Sequence, residues 1–137
     1  MAAQHIVPGA RNHVLVVDDD RDCADSLAEV LRVCFEIEAE PAYGGHLALN
    51  AARAHPPAAI VLDLDMPLVD GFKTANDLLM AFPDDPPSLI AVTGNPDLWR
   101  DASNERRFSG ALLKPPDAQE LARVLLSAAK AWRKVLR

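Results

Sequence analysis

The sequence predicts an α/β domain: one five-stranded parallel sheet with helices on both faces. Two observations carry this. Four short runs, VLVV at 14–17, IVL at 60–62, LIAV at 89–92 and ALL at 111–113, are apolar at every position and end in polar or turn residues. Strands buried on both faces of a parallel sheet have that composition. Between the runs lie stretches of helical length whose apolar residues recur every three or four positions.

Residues 1–11 read as a flexible lead-in; they lack the apolar core of a signal peptide. The first strand, 14–17, runs into Asp18, Asp19 and Asp20. The first helix, 20–33, places Cys23, Leu27, Val30 and Leu31 on one face. In the next strand, FEIEAEPA, Phe35, Ile37 and Ala39 alternate with Glu36, Glu38 and Glu40. One wet face, charge and Pro41 suit a protected sheet edge. A second helix, 45–54, groups Ala48, Leu49 and Ala52. After the strand at 60–62, a third helix over 71–82 carries Phe72, Ala75, Leu79 and Phe82 on one stripe. The strand at 89–92 leads to a weaker helix over 96–107, where Leu98, Trp99 and Ala102 give way to the polar run ASNERR. The strand at 111–113 precedes the last helix, 117–136, with Leu121, Val124, Leu125, Ala128, Trp132 and Val135 on one face. Asp117 and Glu120 have the spacing of a capping box at its start. Lys130, Arg133, Lys134 and Arg137 suit its C-terminal end.

Right-handed crossovers then place helices on both faces. With the second strand at the edge, the order is 2-1-3-4-5, the flavodoxin-like winding of a (βα)5 sandwich, and ligands belong at the carboxyl ends of the strands. The domain spans 12–130. Residues 131–137 are a basic helix end, a dimer seam or a truncated linker.

Composition narrows the function. A chain of 137 residues, half of them hydrophobic, fits one domain with one ordinary core. A net charge of −6 argues against a nucleic-acid surface. No apolar run approaches the roughly 20 residues that span a bilayer. The two cysteines, Cys23 and Cys34, read as small core residues of a reduced, cytoplasmic protein. The four histidines, His5, His13, His46 and His55, read as surface residues.

The chemistry sits at the strand ends. Asp18 and Asp19 follow the first run, Asp63 the second apolar run, Thr93 and Gly94 the third, Lys114 and Pro115 the fourth. Each alone is an ordinary turn residue or helix cap. Together they deliver complementary charges to one rim. Two carboxylates about 4 Å apart repel by roughly 4 kcal/mol at an effective dielectric of 20, so such a cluster holds a proton or a cation. All-oxygen donors favour a hard ion such as Mg²⁺. A carboxylate facing Mg²⁺-bound phosphate can form an aspartyl phosphate. Lys114 can pair with the phosphoryl oxygens as a point charge, and Thr93 can donate its hydroxyl to them.

Over 12–130 the sequence resembles the receiver domains of two-component response regulators, of the chemotaxis-regulator type. The motifs are VLVVDDD, LDLDMPLVDG, VTGN and LLKPP. The resemblance implies that Asp63 is the phosphoacceptor, Thr93 the switch hydroxyl and Lys114 the site lysine. It implies Mg²⁺ held by Asp19 directly, by Asp18 partly through water, by an oxygen of Asp63 and by the backbone carbonyl of Asp65, and a cis peptide between Lys114 and Pro115. The implied partners are a sensor histidine kinase or histidine phosphotransfer protein and a downstream protein target. Two positions depart from the pattern. The aromatic residue usual three before the lysine is Ala111, which cannot swing in and out. The residue after Pro115, often aromatic, is Pro116, which stiffens the loop. Asp65 and Asn95 flank the site and are expected to tune the lifetime of the acyl phosphate. Trp99 is either a handle for the partner or packs within its own helix.

Two other classes fit parts of the pattern. A pseudo-receiver would use the same fold as an interaction module without phosphorylation. A Mg²⁺-dependent phosphatase of the haloacid-dehalogenase type would share the Asp-x-Asp nucleophile at Asp63 and Asp65. It places that motif on its first strand, however, and usually carries a cap.

Overall fold

The computed structural model describes residues 13–128. The chain alternates β1 (Val14–Val17), α1 (Arg21–Phe35), β2 (Ala39–Ala42), α2 (Gly45–Ala54), β3 (Ala59–Asp63), α3 (Gly71–Met80), β4 (Ser88–Thr93), α4 (Pro96–Ser103), β5 (Gly110–Leu113) and α5 (Ala118–Ala128). The five strands form one sheet in the order β2-β1-β3-β4-β5, and every pairing is parallel. This is the expected winding.

Alternate residues of each strand point to opposite faces, so the sheet builds two cores. Val14, Val16, Val61 and Ile90 pack with Ala28 and Leu31 of α1 and Leu121 and Leu125 of α5. Leu15, Val17, Ile60, Leu62 and Leu89 face Ala48 and Ala52 of α2, Ala75 and Leu78 of α3 and Ala102 of α4. The all-apolar runs of β1, β3 and β4 arise here, since both faces are covered; β5, the other edge strand, is only half-buried and Leu113 is exposed, so the run at 111–113 is not the doubly covered strand expected.

Several expectations are corrected. Of the segment read as an eight-residue strand, only the second half is strand. The helix α1 continues to Phe35 and stops at Glu36, whose φ of 55° places it in the left-handed region. Only AEPA pairs with β1. Ile37 and Ala39 are buried and alternate with exposed glutamates, as the pattern predicts, but a helix cap and a short link precede the ladder. Pro41 is accommodated because β2 is an edge strand. On α1 the deeply buried residues are Ala24, Ala28 and Leu31, whereas Cys23 is exposed. Cys34 is also exposed, so neither cysteine belongs to the core. The third helix ends at Met80 and buries Leu78, which lies beside the predicted stripe; Phe72, Leu79 and Phe82 pack partly buried against that core. The fourth helix ends at Ser103 rather than 107, where the polar run begins. Asp117 accepts from the backbone N–H groups of Gln119 and Glu120, the expected cap of α5.

His13 is buried, not a surface residue. Burial, together with the nearby His55, lowers its pKa against the opposing pull of Glu40. The lead-in at 1–11, Trp132, Val135 and the basic end at 131–137 lie outside the described residues. Among the described residues no helix is long and apolar enough to cross a membrane.

Candidate functional site

The carboxyl ends of β1, β3, β4 and β5 converge, and each brings one part of the site. After β1 the chain turns directly into α1. Asp18 accepts from the backbone N–H of Asp20 (3.0 Å), and Asp20 caps the helix by accepting from Cys23 N–H (3.2 Å). The run of three aspartates thus divides: Asp20 caps the helix, while Asp18 and Asp19 stay at the rim. After β3, the stretch LDMPLVDG makes a tight return. Leu64 and Met66 anchor it in the core. Asp70 caps α3 by accepting from Phe72 and Lys73 N–H. A side chain at Gly71 would meet Leu64, with its Cδ2 at 2.6 Å and its Cα at 3.2 Å. The Asp-Gly pair is therefore a cap followed by a close approach.

Asp63, the last residue of β3, is 4% exposed. Its Oδ1 accepts from Asp65 N–H (2.8 Å) and from Lys114 Nζ (2.9 Å). Lys114 follows β5, joined by a cis peptide to Pro115 as expected. Asp18, Asp19 and Asp63 offer carboxylate oxygens that all lie within 4.8 Å of one another. Burial, then the adjacent Asp63, pushes the Asp18 carboxyl up to about 6, against the pull of the Asp20 N–H and Lys114. A cation bound among these carboxylates would relieve that like-charge repulsion and favour the ionised form. The donor set is entirely oxygen and anionic, so it fits a hard divalent ion.

Thr93, at the end of β4, is fully buried. Its hydroxyl donates to Asp65 Oδ1 (2.5 Å), and the N–H of Gly94 donates to Asp65 Oδ2 (2.7 Å). Lys114 Nζ lies 3.3 Å from the same Oδ2. Burial raises the pKa of Asp65, but the Thr93, Gly94 and Lys114 donors outweigh it and hold the carboxyl low. Burial likewise lowers that of Lys114, and Asp63 and Asp65 together more than reverse it. The side chain of Asp65 is thus a central acceptor, whereas the sequence suggests only its carbonyl as a metal ligand and a part in tuning lifetime. The Asp-x-Asp spacing was the available signal.

Asn95 caps α4, accepting from Asp97 and Leu98 N–H. The indole N–H of Trp99 donates to the carbonyl of Ala111 (3.0 Å). Two residues singled out separately are therefore joined across α4 and β5. Arg107, which the sequence gave no reason to single out, donates to the carbonyl of Phe72 and pairs with Glu105, tying the segment before β5 to α3. Beside the carboxylates a cavity of about 500 Å³ opens between α1 and the Pro115–Pro116 turn, walled by Val16, Cys23, Leu27 and Val30 and reaching Asp18, Asp63 and Lys114.

Residues 14–126 match the family model of the response regulator receiver domain. The chain is a response regulator receiver domain. It is 38% identical over 102 residues to the transcriptional regulatory protein PrrA of Mycobacterium tuberculosis, which covers 74% of this chain and 43% of PrrA. It is 36% identical over 108 residues to the response regulator MprA of Mycolicibacterium vanbaalenii, which covers 79% of this chain and 46% of MprA. The receiver chain thus spans less than half the length of these curated relatives. Among solved structures, the signal receiver domain of a response regulator from Bermanella marisrubri superposes with a TM-score of 0.76 at 26% identity, over 86% of this chain and 98% of that one. The CheY-like receiver domain protein of Methanospirillum hungatei shares the fold, with a TM-score of 0.76 at 22% identity over 91% and 98% of the two chains.

Proposed function

We infer that this receiver domain is a phosphoacceptor switch that takes a phosphoryl group on Asp63 from a sensor histidine kinase or a histidine phosphotransfer protein. The observation that carries the reading is the setting of Asp63: a nearly buried carboxylate with Lys114 on one oxygen and Asp18 and Asp19 within reach. Two hydrogen bonds hold Oδ1, so Oδ2 is the oxygen assigned the attack on phosphorus. The P–N bond of the phosphohistidine breaks as the P–O bond forms, and the imidazole leaves with a proton.

Asp18, Asp19 and Asp63, with the backbone carbonyl of Asp65, would hold Mg²⁺. When bound, the ion neutralises the carboxylates and the incoming phosphoryl oxygens. Lys114 orients Asp63 and then pairs with the phosphoryl group. Asp65 gives the switch its resting state. Its carboxylate already engages the Thr93 hydroxyl, the Gly94 N–H and Lys114. Those are the donors a phosphoryl group on Asp63 needs, so Asp65 must yield them. Phosphorylation adds about −1.5 to −2 charge and three acceptor oxygens, and the contest for Thr93 and Lys114 moves the 93–110 segment.

With Ala111 in place of an aromatic residue, the surface readout falls to Trp99, which is 37% exposed and tethered to the Ala111 carbonyl. The reader is a protein, or a second copy of the chain, that docks on this face. We place the activity in the cytoplasm, which is in keeping with two exposed free thiols.

The test is incubation with Mg²⁺ and acetyl phosphate, followed by intact mass. A single phosphate adduct that is absent in Asp63→Asn is expected. An unmodified wild-type chain overturns the reading and favours a phosphorylation-independent interaction module.

A further inference from the structure

The helix α1 has three sides. Ala24, Ala28 and Leu31 are buried. Arg21, Asp22, Asp25, Glu29 and Arg32 share a charged side. The third side is an uncharged stripe of Cys23, Ser26, Leu27, Val30, Val33 and Cys34. Both cysteines are exposed free thiols, Val33 is 72% exposed, and Leu27 and Val30 are half-buried. Cys23, Leu27, Val30 and Cys34 are spaced four, three and four apart, the rhythm of a helix–helix seam. We propose that this stripe is a self-association surface, on which two copies pair α1 against α1 in antiparallel and join by disulfides between Cys23 and the partner's Cys34, one at each end.

Three features carry the pairing. The first is symmetry: the spacing is the same in both directions along the helix. Set antiparallel to a copy of itself, α1 brings Cys23 to the partner's Cys34 and Leu27 to the partner's Val30, and the two-fold repeats both contacts. The second is reach. Within one chain the two thiols lie about three turns apart, roughly 16 Å along the axis. A disulfide needs Cα atoms within about 7 Å, so the helix cannot close on itself and a second copy supplies the missing thiol. The third is charge. The N-terminal end of α1 adjoins the acidic rim of Asp18, Asp19 and Asp20. A parallel pair would set two such rims side by side, where like charges repel. The antiparallel pair keeps them a seam's length apart and opposes the two helix dipoles.

Area makes the disulfide necessary. Six side chains per copy, two of them already half-buried, cover less than the about 1,000 Å² that a stable interface needs. Reduced chains therefore stay apart on this face, and the pair forms on oxidation, as a redox-sensing thiol pair does. The Asp20 carboxylate raises the pKa of the Cys23 thiol, which leaves Cys34 to react first. Hydrogen peroxide oxidises the Cys34 thiol to a sulfenic acid and releases one water. The partner's Cys23 thiol then attacks that sulfur, forming the S–S bond and releasing a second water. Cys23, Leu27 and Val30 also wall the cavity that reaches Asp63, so the second copy would cover it.

The test uses tag-free full-length protein, reduced, freed of reductant, treated with hydrogen peroxide and run on a non-reducing gel. It reads thiol pairing alone and does not depend on phosphorylation. A dimer that dithiothreitol reverses is expected. Cys23→Ser and Cys34→Ser alter exposed side chains, so the fold is kept. Neither variant alone should give a dimer, because each lacks one half of every pair. An equimolar mixture of the two should restore it, with one disulfide per dimer. Val33→Glu puts a charge on the seam and should slow crosslinking by at least about tenfold. A monomeric wild type, a dimer in either cysteine variant alone, no dimer in the mixture, or an unchanged rate in Val33→Glu overturns the proposal.

Discussion

At the scale of single residues, Asp18 and Asp65 differ because their surroundings differ. Asp65 gains donors; Asp18 gains burial and a like charge. The Asp18 carboxyl is raised from 3.8 to about 6 in the folded protein, so the fold holds that proton more tightly than the unfolded chain. The stability it contributes is full below 3.8 and is lost as pH rises through about 6. In chelator, wild type should therefore lose stability relative to Asp18→Asn over that window, as read by urea unfolding. Mg²⁺ should restore wild type near neutral pH and do little for the variant. For Asp65→Ala the expected result is opposite in kind. The Thr93 hydroxyl is fully buried and would lose its acceptor, a cost of about 1–3 kcal/mol. The same variant frees Thr93 and Lys114 for the phosphoryl group, so the half-life of the acyl phosphate should change. Exchanging Asn95, which flanks the site while capping α4, should also change it. An unaltered half-life in both variants removes these residues from lifetime control.

At the scale of elements, the return between β3 and α3 is the most constrained segment. Gly71 begins α3 against Leu64, leaving no room for a Cβ. Gly71→Ala should cost about 1–3 kcal/mol through overpacking, seen as a lower urea midpoint with an unchanged slope. The composition of LDMPLVDG announced a turn and a cap; that Gly71 is needed for close approach to Leu64 came from the packing of α3. The β2 segment shows the converse. Its alternation was legible, but Phe35 satisfies a helical pattern as well as a strand pattern, and short apolar stretches fit both periods. The choice fell to α1, which gains another turn by ending at Glu36.

At the scale of the molecule, the proposed switch is a contest between two arrangements of the 93–110 segment. Moving a population from 1:99 to 99:1 takes about 5.5 kcal/mol, within reach of a few charge-assisted hydrogen bonds of about 1.5–3 kcal/mol each. Trp99 should report on that contest, because its indole bonds across α4 to β5. In a Trp132→Phe background, phosphorylation should shift Trp99 emission, and Asp63→Asn should abolish the shift. Constant emission in a protein shown by mass to be phosphorylated would place the readout elsewhere.

The sequence by itself determined the strand cores, their order and the residues at their carboxyl ends. Full burial on both faces leaves an unbroken apolar run, and a strand that ends at a site must end in the site's own side chains. Only the tertiary structure decided that the Asp65 carboxylate takes up Thr93, Gly94 and Lys114, that the cysteines lie outside and His13 inside, and that His13 meets Glu40 and His55. Each of these depends on strand register and helix placement between segments far apart in the chain, and neither leaves a periodic trace in the residues concerned.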